Sequence, residues 1–473
     1  MVPALALGAV HELSLQDAVR LAGRQSPTAR KLVLESHRSG LTYRGARRSA
    51  WPDLALDLQA PILGQEFSVE PLPSSSVDTR LVYGKTTTRR QNASGDLRFQ
   101  QLLPWRGALS ATSSLYYRDE RTSPAGVRQA RNDYLLATQI GLDLRLLGDD
   151  PARRQLRRAD VEWDMARARD RMARAQLEFD TVSQYLALLR ARLSLDIVRA
   201  AAAEAGRALD LARRKVNTGL LPEVELLRMG VHRAESEARL AEAETDLARA
   251  TDGFKIFLGL VPADSLVLSE ALASFELHVP VQDAVRRALE QRSEVGLAQR
   301  DLELLEMDRK ARRPHIPDVS LALRYGGAAS EVALDRTVES LSANNLSFLL
   351  SFHVPLWDSG RLAFDEESVR AGIQLREIEV EEMRRRIELE VRDAARQLGD
   401  AWRRWQLFEA STHLAEESLR ISGERYERGL IDTSTYLNSQ ADAATARLGR
   451  TAALLDLYQA RARLRLVTMS GEW

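Results

Sequence analysis

Several stretches of this chain alternate apolar and polar residues with period two, and two of them start at a Pro-Asp pair. After Pro52, Leu54, Leu56 and Leu58 stand opposite Asp53, Ala55 and Asp57. After Pro317, Val319, Leu321, Leu323 and Tyr325 stand opposite Asp318, Ser320, Ala322 and Arg324. Two further runs behave alike: Leu346, Phe348, Leu350, Phe352 and Val354 against Asn345, Ser347, Ser351 and His353, and Thr138, Ile140, Leu142, Leu144 and Leu146 against Gln139, Gly141, Asp143 and Arg145. Period two predicts strands with one buried face, over about 52–60, 94–147, 317–326 and 345–356. Proline ends whatever helix precedes each Pro-Asp. Two architectures satisfy the alternation: a transmembrane barrel with a wet lumen, or a water-soluble antiparallel sheet with one solvated face.

Elsewhere the apolar positions recur at three and four, which predicts helices. Two are very long, 150–217 and 360–428, and at 1.5 Å per residue each would reach roughly 100 Å. Return helices are expected over 222–258 and 432–468, and shorter ones over 16–50 and 282–313. The helix from 150 carries two seams. Met172, Ala175, Phe179, Val182, Leu186, Leu189 and Leu193 form one; Leu188, Leu195, Ala205, Leu209 and Ala212 belong to the other, offset by roughly 200° around the axis. A helix with apolar stripes on opposite sides needs a partner on each flank, as in a ring of helices.

The pattern is written twice. Leu15-Gln16-Asp17-Ala18-Val19-Arg20 returns as Val281-Gln282-Asp283-Ala284-Val285-Arg286, and each long helix runs into a Gly-Leu tip, Thr218-Gly219-Leu220-Leu221-Pro222 or Arg428-Gly429-Leu430-Ile431-Asp432. The return helices keep one heptad register, with Leu227, Val231, Ala234 and Ala238 answering Leu437, Ala441, Ala444 and Leu448. A supersecondary unit built twice belongs to a tube, ring or repeat array more than to a catalytic cleft. The chain divides on this reading into a tail, 1–13, and two repeats, 14–260 and 261–473. The first repeat spends many more residues between its Pro-Asp and its long helix; 61–93, with the Pro/Ser-rich stretch Glu70 to Asp78, reads as an enlarged outer loop or an extra hairpin, and Pro104-Trp105-Arg106-Gly107 as a turn.

Composition narrows the chemistry. Charge is balanced, 67 basic against 67 acidic residues, so no bulk field draws the chain to nucleic acid. With no cysteine in its 473 residues, disulfides, thiolate metal sites and thiol nucleophiles are excluded. Seven histidines lie far apart without ligand spacing, so no metal site is expected. Gly84-Lys85-Thr86 resembles the end of a phosphate loop, but Thr79 stands where its first glycine belongs. No stretch approaches the ~20 apolar residues of a spanning helix. Met1 to Val10 lacks the basic start of an intact secretory signal; its small residues read as the last part of one or as an ordinary terminus. No cofactor is expected, and no enzyme.

Helix, strand pair, very long helix and return helix, repeated twice around Gly-Leu tips, resemble the TolC family of outer-membrane efflux proteins from about Ser14 to Gly471. Val354-Pro355-Leu356-Trp357-Asp358-Ser359-Gly360 is similar to that family's strand-to-helix junction. The resemblance implies a homotrimer in which three copies share a 12-stranded β-barrel, about four strands from each, above an α-barrel tunnel. It implies an outer-membrane location extending into the periplasm, a periplasmic adaptor, an inner-membrane pump, and lipid around the barrel. Adaptor docking would fall on the tips, Gly219, Leu220, Leu221, Gly429, Leu430 and Ile431. The aperture would be ringed by residues just beyond them: Glu225, Asp432, Thr435 and Asn438. Thr435 and Asn438 stand where family members studied as gates carry acids, which departs from a carboxylate-lined gate. The expected function is a passive exit duct; the competing one is a soluble coiled-coil scaffold or adaptor.

Overall fold

The computed structural model describes residues 10–71, 83–103, 105–124, 129–269, 280–311, 317–342, 345–354 and 356–469. The small-residue run at 4–9, positions 72–78 of the Pro/Ser-rich stretch, Pro104, Pro355 and the chain end from Ser470 lie outside the described residues. The chain forms two compact units: 1–38, 165–300 and 376–473 make one, and 39–164 with 301–375 make the other. Each unit draws on both repeats.

The first unit is helical. It contains α1 (Leu15–Gln25), most of α3 (Pro151–Asn217), α4 (Glu223–Leu258), α5 (Val281–Gln291), most of α8 (Arg361–Glu427) and α9 (Thr433–Thr468). The repeated Gln-Asp-Ala-Val-Arg segment explains two of its contacts at once. Ala18 and Ala22 of α1 are fully buried in one apolar cluster, beside Tyr185, Leu186, Phe254 and Leu258. Ala284 and Ala288 of α5 are fully buried in another, beside Ile387, Val391, Leu398, Leu457 and Leu464. Alanine at these places lets helix backbones come close, and the charged residues of the motif stay outside as Arg20–Asp17 and Arg286–Asp283 pairs. Two short strands, β1 (Val10–Leu13) and β6 (Ser265–Leu268), pair in parallel in the same unit. Arg292, largely buried, is held between Glu294 and Glu390.

The expected helices 16–50 and 282–313 are each broken in two. α1 stops at Gln25 and α2 occupies Pro27–Arg48; α5 stops at Gln291 and α6 occupies Ser293–Ala311. Ser26 is extended (ψ 148°), as the residue before a proline prefers, and Pro27 then serves as a first helical residue, where a missing N–H costs nothing. Arg292 breaks the second pair in extended geometry.

The second unit contains one antiparallel sheet. Its strands are β2 (Asp53–Pro71), β3 (Tyr83–Leu103), β4 (Gly107–Pro124), β5 (Gln129–Leu147), β7 (Asp318–Glu331) and β8 (Asn345–His353), joined in that order. A short helix, α7 (Leu334–Glu339), separates the last two. Among the described residues the sheet has six strands, where about four per chain were expected. What reads as an enlarged loop over 61–93 continues β2 and β3 over its described residues, 61–71 and 83–93. The reason is a register shift between Gln59 and Ile62: apolar residues sit at even positions before it (Leu54, Leu56, Leu58) and at odd positions after it (Leu63, Phe67, Val69), so the alternation loses phase while the strand goes on.

Candidate functional site

In the helical unit the two tips have the same backbone. Gly219 and Gly429 both sit at φ +74°, a left-handed value that any side chain would strain. At the first tip Leu220 N–H donates to Lys215 O and Gly219 N–H to Val216 O, both at 2.9 Å; at the second, Leu430 N–H donates to Arg425 O at 2.9 Å and Gly429 N–H to Tyr426 O at 3.0 Å. These are paired Schellman stops, which satisfy the last carbonyls of α3 and α8. The following helices start differently. Pro222 precedes α4 without a side-chain cap, whereas Asp432 accepts from Thr435 N–H at 3.0 Å and caps α9. Its bonds to Thr435, side chain first and then backbone, hold the Asp432 carboxyl below the usual carboxylate range.

The resemblance's docking residues separate into two kinds. Leu220 and Leu430 are exposed at 76% and 68%, large apolar side chains in water. Leu221 and Ile431 instead turn inward onto a cluster of Ala208, Leu209, Ala212, Met229 and Tyr426, so the tips are packed against one another. Of the aperture residues, Asp432, Thr435 and Asn438 are exposed, and Glu225 is half-buried in an ion pair with Arg228 at 3.2 Å. Arg228 also lowers the Asp432 carboxyl electrostatically, so one cation serves an acid from each tip.

Three residues that sequence reasoning missed hold this end together. Lys215 donates from Nζ to the carbonyl of Tyr426 and lies 4.2 Å from the centre of its ring. Tyr426 stacks on Tyr436, with centroids 4.7 Å apart. Burial pushes the Lys215 ammonium below its ordinary value and the Tyr436 phenol above its own, the latter opposed by a bond from Gln440. Lys215 is one of only five lysines in an arginine-rich chain, a composition signal that could have drawn attention to it.

In the other unit the sheet has two chemically distinct faces. Register places Leu56, Leu97, Ser113, Thr138 and their two-residue neighbours on one face, continuing through Leu142, Leu323, Phe348, Leu350 and Phe352. The hydroxyls of Ser113 and Thr138 satisfy each other at 3.0 Å within it. The opposite face carries ion pairs between neighbouring strands: Arg98–Asp57, Arg90 with Glu66 and Glu120, Arg118–Asp133, Arg145–Asp318 and Arg324–Asp143. Arg118 grips Asp133 with two bonds, of 2.9 and 2.7 Å.

The apolar face has a definite height. On β4 it runs from Gly107, next to the exposed Trp105, to Tyr117, whose ring packs 5.0 Å from that of Tyr134 on β5. Ten residue steps at ~3.4 Å, tilted by ~45°, give about 24 Å. Beyond Tyr117 the same face turns polar on β3 and β4, with Asp119, Arg121 and Gln91, while β2 at its edge keeps Leu63, Phe67 and Val69 there. An apolar band of about 25 Å flanked by aromatic residues has the dimensions of the lipid-facing surface of a transmembrane barrel. No helix is long and apolar enough to cross a membrane among the described residues.

Comparison with known proteins agrees with these features. The family model described as outer membrane efflux protein matches residues 284–468. No curated protein matches the sequence. Among solved structures, the fold is similar to the outer membrane protein VceC from Vibrio cholerae, at 16% identity over 97% of this chain and 96% of that one, with a TM-score of 0.69. It is similar to the CmeC outer membrane channel of Campylobacter jejuni at 14% identity, covering 96% and 85% of the two chains with a TM-score of 0.69. The open state of the MtrE outer membrane channel from Neisseria gonorrhoeae matches at 14% identity, covering 97% and 89%, with a TM-score of 0.66. At these identities the likeness is one of fold.

Proposed function

We infer, from the premise that this chain is an outer membrane efflux protein with the TolC-like channel fold, that it is the outer-membrane exit duct of a tripartite efflux or secretion system. It conducts passively, and no side chain is asked to do chemistry. The observation that carries this reading is the two-faced sheet: an apolar band of about 24 Å between Trp105 and the Tyr117–Tyr134 pair, backed by interstrand ion pairs that need water. A soluble coiled-coil scaffold has no use for such a band.

Three copies form the working channel. A lone chain leaves Leu407, Leu414 and Ile421 of α8 exposed at heptad spacing, and Val224, Leu227 and Val231 of α4 likewise, which are seams awaiting a neighbouring helix. A periplasmic adaptor docks on the tips, with Leu220 and Leu430 as apolar contacts and Gly219 and Gly429 setting the turn on which they and the inward-facing Leu221 and Ile431 are carried. The aperture is lined by Glu225, Asp432, Thr435 and Asn438, with Arg228 offsetting the acids. An inner-membrane pump supplies the energy.

Arginine substitution on either face of one strand tests the reading. Leu142→Arg faces lipid and should cost about 2–4 kcal/mol and abolish outer-membrane assembly, whereas Gln139→Arg faces water and should assemble normally. Equal tolerance of both substitutions would contradict a membrane-spanning sheet.

A further inference from the structure

The sheet has two open edges, β2 and β8, and each is flanked by a single neighbour among the described residues. In lipid an open edge leaves a row of backbone N–H and C=O groups without partners, several kcal/mol each. Something must cover both edges. The sheet is antiparallel throughout and contains six strands, so β2 and β8 run in opposite directions and β8 of one copy meets β2 of the next in antiparallel sense. Their faces agree as well: Leu54, Leu56 and Leu58 on β2 and Leu346, Phe348, Leu350 and Phe352 on β8 all lie on the apolar side and are all exposed. A second copy of this chain therefore extends the sheet without turning a polar residue to lipid.

We propose that the barrel closes through β8 of each protomer against β2 of the next, so that three copies form a barrel of 18 strands. This rests on the trimeric channel reading. A 12-stranded barrel from three copies would need β8 to reach β4, and both edges of β4 are occupied, by β3 and β5, over most of its length. The β2–β3 hairpin would first have to peel away, taking the Arg98–Asp57 and Arg90–Glu66 pairs out of the lumen face. Barrel diameter grows about linearly with strand number, so 18 strands give a bore about one and a half times that of 12.

Cysteine pairs test this directly, because the chain has no cysteine of its own. Leu56→Cys combined with Leu350→Cys, treated in membranes with a short bis-maleimide, should give two- and three-chain bands on a denaturing gel, while either single variant stays at one chain. Leu58→Cys with Phe348→Cys is the second pair, in case the first misassembles. Three-chain products from Leu350→Cys with Leu115→Cys, and none from the β2 pairs, would overturn the 18-stranded closure while leaving the trimer intact. Products that stop at two chains would mean 12 strands from a dimer and would overturn the trimeric reading as well.

Discussion

Tyr426 lies face to face with Tyr436, ring planes 7° from parallel, and its hydroxyl is buried with no hydrogen-bond partner among the described residues. The ring contributes packing and the hydroxyl only a desolvation cost. Tyr426→Phe should therefore be neutral or stabilise by about 1 kcal/mol, whereas Tyr426→Ala should destabilise by about 3–5 kcal/mol. Thermal unfolding of the two variants beside the parent decides; a loss of stability in the Phe variant would mean the hydroxyl is bonded.

The twin left-handed glycines make a matched prediction. No atom lies within 4 Å of a Cβ built on Gly219 or Gly429, so alanine meets strain but no clash. Each Gly→Ala change should cost about 1–2 kcal/mol, and Gly→Asn clearly less. Melting temperatures of the four variants test this. A much larger loss at one tip would show a contact from a neighbouring chain.

Asp432 gives a pH dependence. Its folded carboxyl titrates below 3.8, so the unfolded chain binds the proton first as pH falls. The stability it contributes is full above pH 3.8 and is lost as pH drops through the lower, folded value. The melting-temperature gap between the parent and Asp432→Ala should be widest at neutral pH and close in this acid window. Asp432→Asn, which still caps α9, should show no such closure.

The duplicated motif predicts paired sensitivity in the helical core. Ala18 and Ala284 are both completely buried, so leucine at either overpacks a helix contact and should cost about 1–3 kcal/mol or more. Valine at Val19 or Val285 is less confined, and substitution there should matter less. Assembly yield and unfolding temperature of Ala18→Leu and Ala284→Leu check the equivalence of the two repeats.

Much of this fold was legible because its signals are local. Pro52 and Pro317 mark strand starts, Gly219 and Gly429 mark helix stops, and Ala18 and Ala284 sit in a six-residue segment repeated almost unchanged. The helix break at Ser26 was not legible, since Pro27 is acceptable inside a continuing apolar pattern as a first helical residue. β1 and β6, four residues each, are too short to show a period. The outer half of β3, from Thr86 to Ser94, is a polar run that lies beyond the apolar band, so nothing there alternates. At the tips, the glycines were visible and their partners were not: Lys215 meets Tyr426 across 211 positions, a contact only the fold creates.

The most direct test is current through a planar bilayer. Protein purified in detergent should have the mass of three chains and produce discrete conductance steps. A chain that stays monomeric and soluble without detergent, and carries no current, would contradict the account.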